Sequence, residues 1–136
     1  LGICISTLKV EESSRLYLAP TFDHASCLGR ELTDERRKIA LTTKDRNRTV
    51  GKYIDNCRSG FFSSAQDKKT MKALAAYKWA AKIRPGAAQS WQKRLENIAE
   101  RDIIALFEQI PASLISAIAI QFGIKLLELG KQRLLA

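Results

Sequence analysis

The chain has 136 residues, 46% of them apolar and 27% charged, a balance that excludes collagen-like, fibrous and disordered classes and suits one domain with one core. Lysine and arginine outnumber the acids 23 to 14, which leaves +9 at neutral pH with a single histidine. An excess of this size favours an anionic partner such as nucleic acid, nucleotide phosphate or acidic protein, without choosing among them.

Residues 1–23 open the chain with two short runs of strand formers, Ile3, Ile5, Thr7, Val10 and then Leu16, Leu18, around the polar stretch Glu11–Arg15. That pattern predicts a β-hairpin. Ala19-Pro20 then breaks strand pairing, because proline brings no N–H and biases its predecessor towards extended geometry. Thr21-Phe22-Asp23-His24 follows directly on the break.

From Thr33 onward the signals are helical. Thr33-Asp34-Glu35-Arg36 offers a hydroxyl N-cap with acids in the first turn, where the helix dipole favours them. Val50, Tyr53, Ile54 and Cys57 recur three and four apart, predicting a short helix from Thr49 to about Cys57 that Gly60 would end. Thr70 to Arg84 reads as a helix stopped by Pro85-Gly86, with Leu74, Tyr77 and Ala81 on one face. A further helix is expected from about Ala87, with Trp91, Leu95 and Ile98 on one side. Whether Ile103 to Ile110 continues it is left open by the pattern. Pro111 fits the first turn of a final helix that reaches the C-terminus, in which Gly123 and Gly130 each cost about 1 kcal/mol relative to alanine. The fold class expected is therefore mainly α: a hairpin over 1–23 followed by a helical bundle over 33–136, in one domain.

Membrane and secretory readings find no support. The most apolar stretch, Leu114 to Leu129, contains Gln121, Lys125 and Glu128 and falls short of a span of roughly 18 uninterrupted apolar residues. No basic-headed apolar run with a small-residue cleavage site opens the chain, so no signal peptide is expected. Cys4, Cys27 and Cys57 are an odd number without a framework spacing, which reads as reduced and cytosolic. The only methionine is Met71, so Leu1 is read as lying within a longer or processed product.

The positive charge belongs to the middle of the chain. Residues 66–94 hold eight basic side chains and one acidic, whereas 95–136 hold four basic and five acidic. Solvated helix faces account for most such lysines, and Trp79 and Trp91 at helical spacing read as core. A phosphate-facing patch is the functional alternative, although no nucleic-acid motif accompanies it. The spacing of His24 and the three cysteines argues against zinc, and no phosphate-cradling glycine loop is present. One constellation is sharper. A hairpin, a break and then an apolar-flanked acid is how protein-kinase-like folds present a magnesium-binding aspartate to nucleotide phosphates. Asp23 fits that role, although for an arbitrary Phe-Asp pair an aspartate that merely caps a turn is much the better explanation.

The segment Arg15-Leu16-Tyr17-Leu18-Ala19-Pro20-Thr21-Phe22-Asp23-His24-Ala25-Ser26-Cys27-Leu28-Gly29 resembles the C-terminal domain of the HipA-type serine/threonine kinases, the toxin members of bacterial toxin–antitoxin modules and their relatives. Leu32-Thr33-Asp34-Glu35, the stretch from Thr43 to Thr49 and Leu126-Leu127-Glu128-Leu129 fit the same impression. In that family a Leu-(Ala/Thr)-Pro-x-(Phe/Tyr)-Asp motif carries the magnesium aspartate. The resemblance thus implies that Asp23 holds Mg²⁺ and through it ATP; His24 beside it is a candidate support for the aspartate, with a lone structural histidine the favoured account. It also implies that Arg30, Lys44, Arg46 and Arg48 line the cleft mouth near phosphates or substrate; surface charge is the competing account of these four. Further implications are a cytoplasmic bacterial protein, a protein Ser/Thr substrate and a DNA-binding antitoxin partner. The catalytic aspartate and second metal-binding asparagine, an Asp-x-x-x-x-Asn pattern, would precede Leu1, as would the small lobe and its ATP-binding lysine. The 136 residues alone are therefore expected to be inactive and to expose apolar surface where that lobe docks. Two competing readings are a non-catalytic basic helical module that binds nucleic acid or an acidic partner, and a remnant without function.

Overall fold

A single long helix organises the molecule, and Ser116 explains where it starts. In the computed structural model, which describes residues 27–136, the Ser116 hydroxyl accepts from the Ala119 N–H at 3.1 Å. The helix that it caps runs Ala117–Leu135. Five shorter helices precede it: α1 (Asp34–Thr42), α2 (Val50–Asn56), α3 (Ala73–Ile83), α4 (Pro85–Glu96) and α5 (Glu100–Glu108), with Ala117–Leu135 as α6. No strand occurs among the described residues, only an isolated antiparallel bridge between Arg58 and Lys72. The expected hairpin over 1–23, with Asp23 and His24, lies outside the described residues.

Local chemistry sets the boundaries. Thr33 and Thr49 cap α1 and α2, each hydroxyl accepting from the N–H three residues on, Arg36 at 3.4 Å and Lys52 at 3.2 Å. Helix α2 ends at Asn56, before Gly60, because the chain turns into the bridge at Arg58. That bridge also delays α3 to Ala73, since Met71 and Lys72 pair across the loop: Ser59 N–H donates to the Met71 carbonyl at 2.9 Å and Ala73 N–H to the Cys57 carbonyl at 2.9 Å. Pro85 does end α3, but it opens α4 at once. A proline at the first helical position lacks only an N–H that would have no intrahelical partner, so α4 begins two residues before the expected Ala87. Helix α5 is separate from α4, its start fixed by the Ala99 N–H donating to the Asp102 carboxylate at 3.1 Å. Pro111 is not in the final helix. It starts a turn closed by Leu114 N–H on the Pro111 carbonyl at 2.8 Å, and the helix waits for the Ser116 cap.

The core sits where α6 crosses α1 and α2. Phe122 is fully buried and packs with Val50 and Ile54 of α2, with Leu32, Ala40, Leu41 and Tyr53 around them. Tyr53 meets Phe122 edge-on, ring centroids 5.5 Å apart at 79°, the arrangement that the aromatic quadrupole favours. Polar ties bind α6 elsewhere. Gln92 of α4 donates to the Leu134 carbonyl at 3.0 Å, and Lys131 donates to the Glu96 and Ile98 carbonyls at 3.0 and 2.6 Å. The latter pair satisfies carbonyls at the end of α4 that have no helical partner. Arg133 reaches Asp55 of α2 at 3.2 Å.

Two expectations about side-chain placement are corrected. Trp79 and Trp91 are not core: they are 58% and 51% exposed. Helix α4 turns Ala88, Gln92 and Leu95 inward, one position on from Trp91, while Ile98 stays exposed. The core is small, and Leu106 and Leu114 are 65% and 76% exposed. No helix among the described residues is long and apolar enough to cross a membrane.

Candidate functional site

The segment that follows Asp23 in sequence enters the helical body at the turn Cys27–Leu32, and one arginine pins it there. Arg37 of α1 donates to Asp34 at 2.6 Å, to the Gly29 carbonyl at 3.1 Å and to the Arg30 carbonyl at 3.4 Å. Gly29 is buried at φ +72°, and a Cβ there would lie 2.5 Å from Cε1 of Phe122. Both the conformation and the space demand glycine. Leu28 beside it also has a positive φ, 57°, so the turn is held in a conformation that L residues seldom adopt. From the far side, the Tyr53 hydroxyl donates to Glu31 at 2.5 Å.

This pinned turn forms the head of a groove between α1 and α2, of about 350 Å³. Leu32, Ile39 and Ala40 supply an apolar floor, Arg36, Arg48 and Lys52 three cations, and Asn47 and Asn56 two carboxamides. Among the described residues no carboxylate lines it. Such a lining suits an anionic group on a partly apolar body, since each cation can donate charge-assisted hydrogen bonds. Among the described residues no group of three His, Cys, Asp or Glu side chains is placed to hold a metal ion.

Nearby titrating groups are structural. Burial, and then the hydrogen bond to Glu31, push the Tyr53 phenol well above its usual range. Burial likewise raises the Cys57 thiol, with the Glu31 charge adding to it, so Cys57 is not an activated nucleophile. The Ser116 hydroxyl and then the Arg37 guanidinium hold the Asp34 carboxyl below the ordinary range.

Of the side chains singled out from sequence, Asp23 and His24 lie outside the described residues. Arg30, Lys44, Arg46 and Arg48 are all exposed, and none forms an ion pair among the described residues. Only Arg48 lines the groove; Lys44 and Arg46 stand on the loop before α2, and Arg30 contributes its carbonyl to Arg37. Arg36, Lys52 and Asn56 were missed. The signal for Lys52 and Asn56 was present: Thr49 caps α2, which puts the two four apart on one face. Comparison with protein-family models, curated proteins and solved structures returns no match for this chain.

Proposed function

We propose that this chain is the helical C-lobe portion of a HipA-type serine/threonine kinase, a cytoplasmic bacterial protein regulated by a DNA-binding antitoxin. Its intact form would transfer the ATP γ-phosphate to a protein serine or threonine hydroxyl. The observation that carries this reading is a juxtaposition. The Leu18-Ala19-Pro20-Thr21-Phe22-Asp23 motif runs, four residues later, into a turn pinned by Arg37 at the head of a three-cation groove. Phosphoryl transfer is mostly positioning and charge neutralisation, so a metal aspartate needs a rigid mount with phosphate-facing cations close by. Asp23 would hold a Mg²⁺ ion, which would supply charge neutralisation at the phosphates, and Arg48 and Lys52 would face the anionic side of nucleotide or substrate. The base, the second metal ligand and the ATP-binding lysine would come from outside these 136 residues. The motif and the groove support the reading, without help from any matched relative. Asp23→Ala in a full-length kinase should abolish phosphate transfer from labelled ATP while the melt stays cooperative. Transfer retained by that variant would remove Asp23 from the role.

A second reading, a non-catalytic basic helical module that binds nucleic acid or an acidic partner, is favoured by the run from Lys68 to Arg94. It contains eight lysines and arginines and no acid.

A further inference from the structure

Helices α3 and α4 meet at a sharp corner, with Arg84 alone between them at φ −133° and ψ 67°. All eight cations from Lys68 to Arg94 are exposed, and none makes a salt bridge among the described residues. The same two helices carry both tryptophans of the chain at the surface, Trp79 and Trp91, each more than half exposed. The Arg94 guanidinium lies 5.1 Å from the Trp91 ring centroid, a cation–π contact that holds the indole in place from one side. Exposed indoles and exposed cations without salt bridges on two adjoining helices, with no acid between Lys68 and Arg94, form the combination that binds unpaired bases. The cations follow the phosphates, and the rings stack on bases of any identity.

We infer that the α3–α4 surface, with Trp79 and Trp91 as stacking platforms and Lys78, Lys82 and Arg84 as phosphate contacts, binds single-stranded nucleic acid. This names the partner class within the binding-module reading and is independent of whether Asp23 serves a kinase. Duplex nucleic acid offers the same phosphates but no free base faces, so the tryptophans favour the single strand. An anionic membrane would also meet these cations, and the vesicle arm of the test separates it from nucleic acid.

The test uses the 136-residue chain with labelled oligo-dT and oligo-U of about 15 nucleotides, a duplex of equal length, and phosphatidylserine–phosphatidylcholine vesicles. Single strands should quench tryptophan fluorescence, and affinity should fall roughly 50-fold between about 50 and about 200 mM salt if about four phosphates are neutralised. Trp91→Ala should weaken single-strand binding roughly tenfold with an unchanged melt, because its ring is exposed. The pair Lys78→Gln/Lys82→Gln should flatten the salt dependence. A response from only one of the two oligomers would restrict the site to DNA or RNA and still support it. Duplex bound as tightly as single strand, with no effect of Trp91→Ala, would overturn the stacking surface but leave a basic module. Absence of salt-sensitive binding to any of the nucleic acids would overturn both, and vesicle binding without oligonucleotide binding would assign the face to membrane instead.

Discussion

Gly123 of α6 lies under the ring of Phe107 from α5, so close that a Cβ would sit 2.7 Å from the ring Cζ. The glycine admits the buried Phe107 and lets α5 dock. Gly130, two turns on, has nothing within 4 Å of the same imaginary atom. Alanine should therefore act with opposite signs at the two sites. Gly123→Ala gains about 1 kcal/mol of helix propensity, but overpacking costs about 1–3 kcal/mol, so it should be neutral to destabilising by about 2 kcal/mol. Gly130→Ala should stabilise by about 0.5–1 kcal/mol. Urea melts of the two variants check this, and equal shifts of the same sign would contradict the packing.

Asp34 joins the starts of two helices, bonded to Arg37 of its own helix and beside the Ser116 hydroxyl that caps α6. Its carboxyl titrates below the unfolded value of 3.8. A group with a depressed folded-state pKa contributes stability above the unfolded pKa, and that contribution is lost as pH falls through the folded value. The chain should therefore lose stability on acidification below about pH 4, and Asp34→Asn should lose less over the same interval. Ser116→Ala should reduce the acid sensitivity as well, since it removes the larger cause of the shift. The readout is melting temperature against pH for the three proteins.

Which parts were legible in the sequence follows from the range of the forces involved. Caps act within one turn, so Thr33 marked the start of α1 and Thr49 placed α2 almost to the residue. Pro85 marked its boundary correctly, but its double role, ending α3 and starting α4, depends on where the next chain segment can pack. Trp79 and Trp91 show the same limit. Helical spacing assigns residues to a face, yet which face turns inward depends on the element packed against it, α4 for the helix of Trp79 and α6 for that of Trp91. Ala88, Gln92 and Leu95 make a weak apolar stripe by composition, and only the reach of Gln92 to the Leu134 carbonyl explains why it faces inward. The groove was half visible. Arg48 stood out in a basic run, whereas Arg36 is brought to it because α1 and α2 both pack on α6, which no local pattern encodes.

Tyr53 titrates the other way. Burial and the Glu31 carboxylate disfavour its phenolate, so its pKa is raised in the folded protein. The stability from the neutral phenol is complete below the unfolded pKa and is lost as pH rises beyond it, above about pH 10. Tyr53→Phe should lose about 1 kcal/mol at neutral pH through the missing hydrogen bond and should show a flatter alkaline decline. Ultraviolet titration should find a late-ionising tyrosine in the wild type that is lost in the variant. An early, uniform titration of all tyrosines would break the link to Glu31.

Arg48, Lys44 and Arg46 lie within five residues of one another, and sequence gave no reason to separate them. The fold does: Arg48 lines the α1–α2 groove beside Lys52, while Lys44 and Arg46 point from the exposed loop ahead of it. If the groove takes the anionic side of nucleotide or substrate in a full-length kinase, neutralising Arg48 removes a charge-assisted contact of about 1.5–3 kcal/mol. Arg48→Gln should then raise KM by roughly tenfold or more with kcat little changed, the signature of lost binding shared by ground and transition states. Lys44→Gln and Arg46→Gln should stay within about twofold, as expected of screened surface charges. Equal effects at all three positions would mean that the protein's general field, and not the groove, attracts the ligand. An effect confined to Lys44 or Arg46 would move the binding surface to the loop.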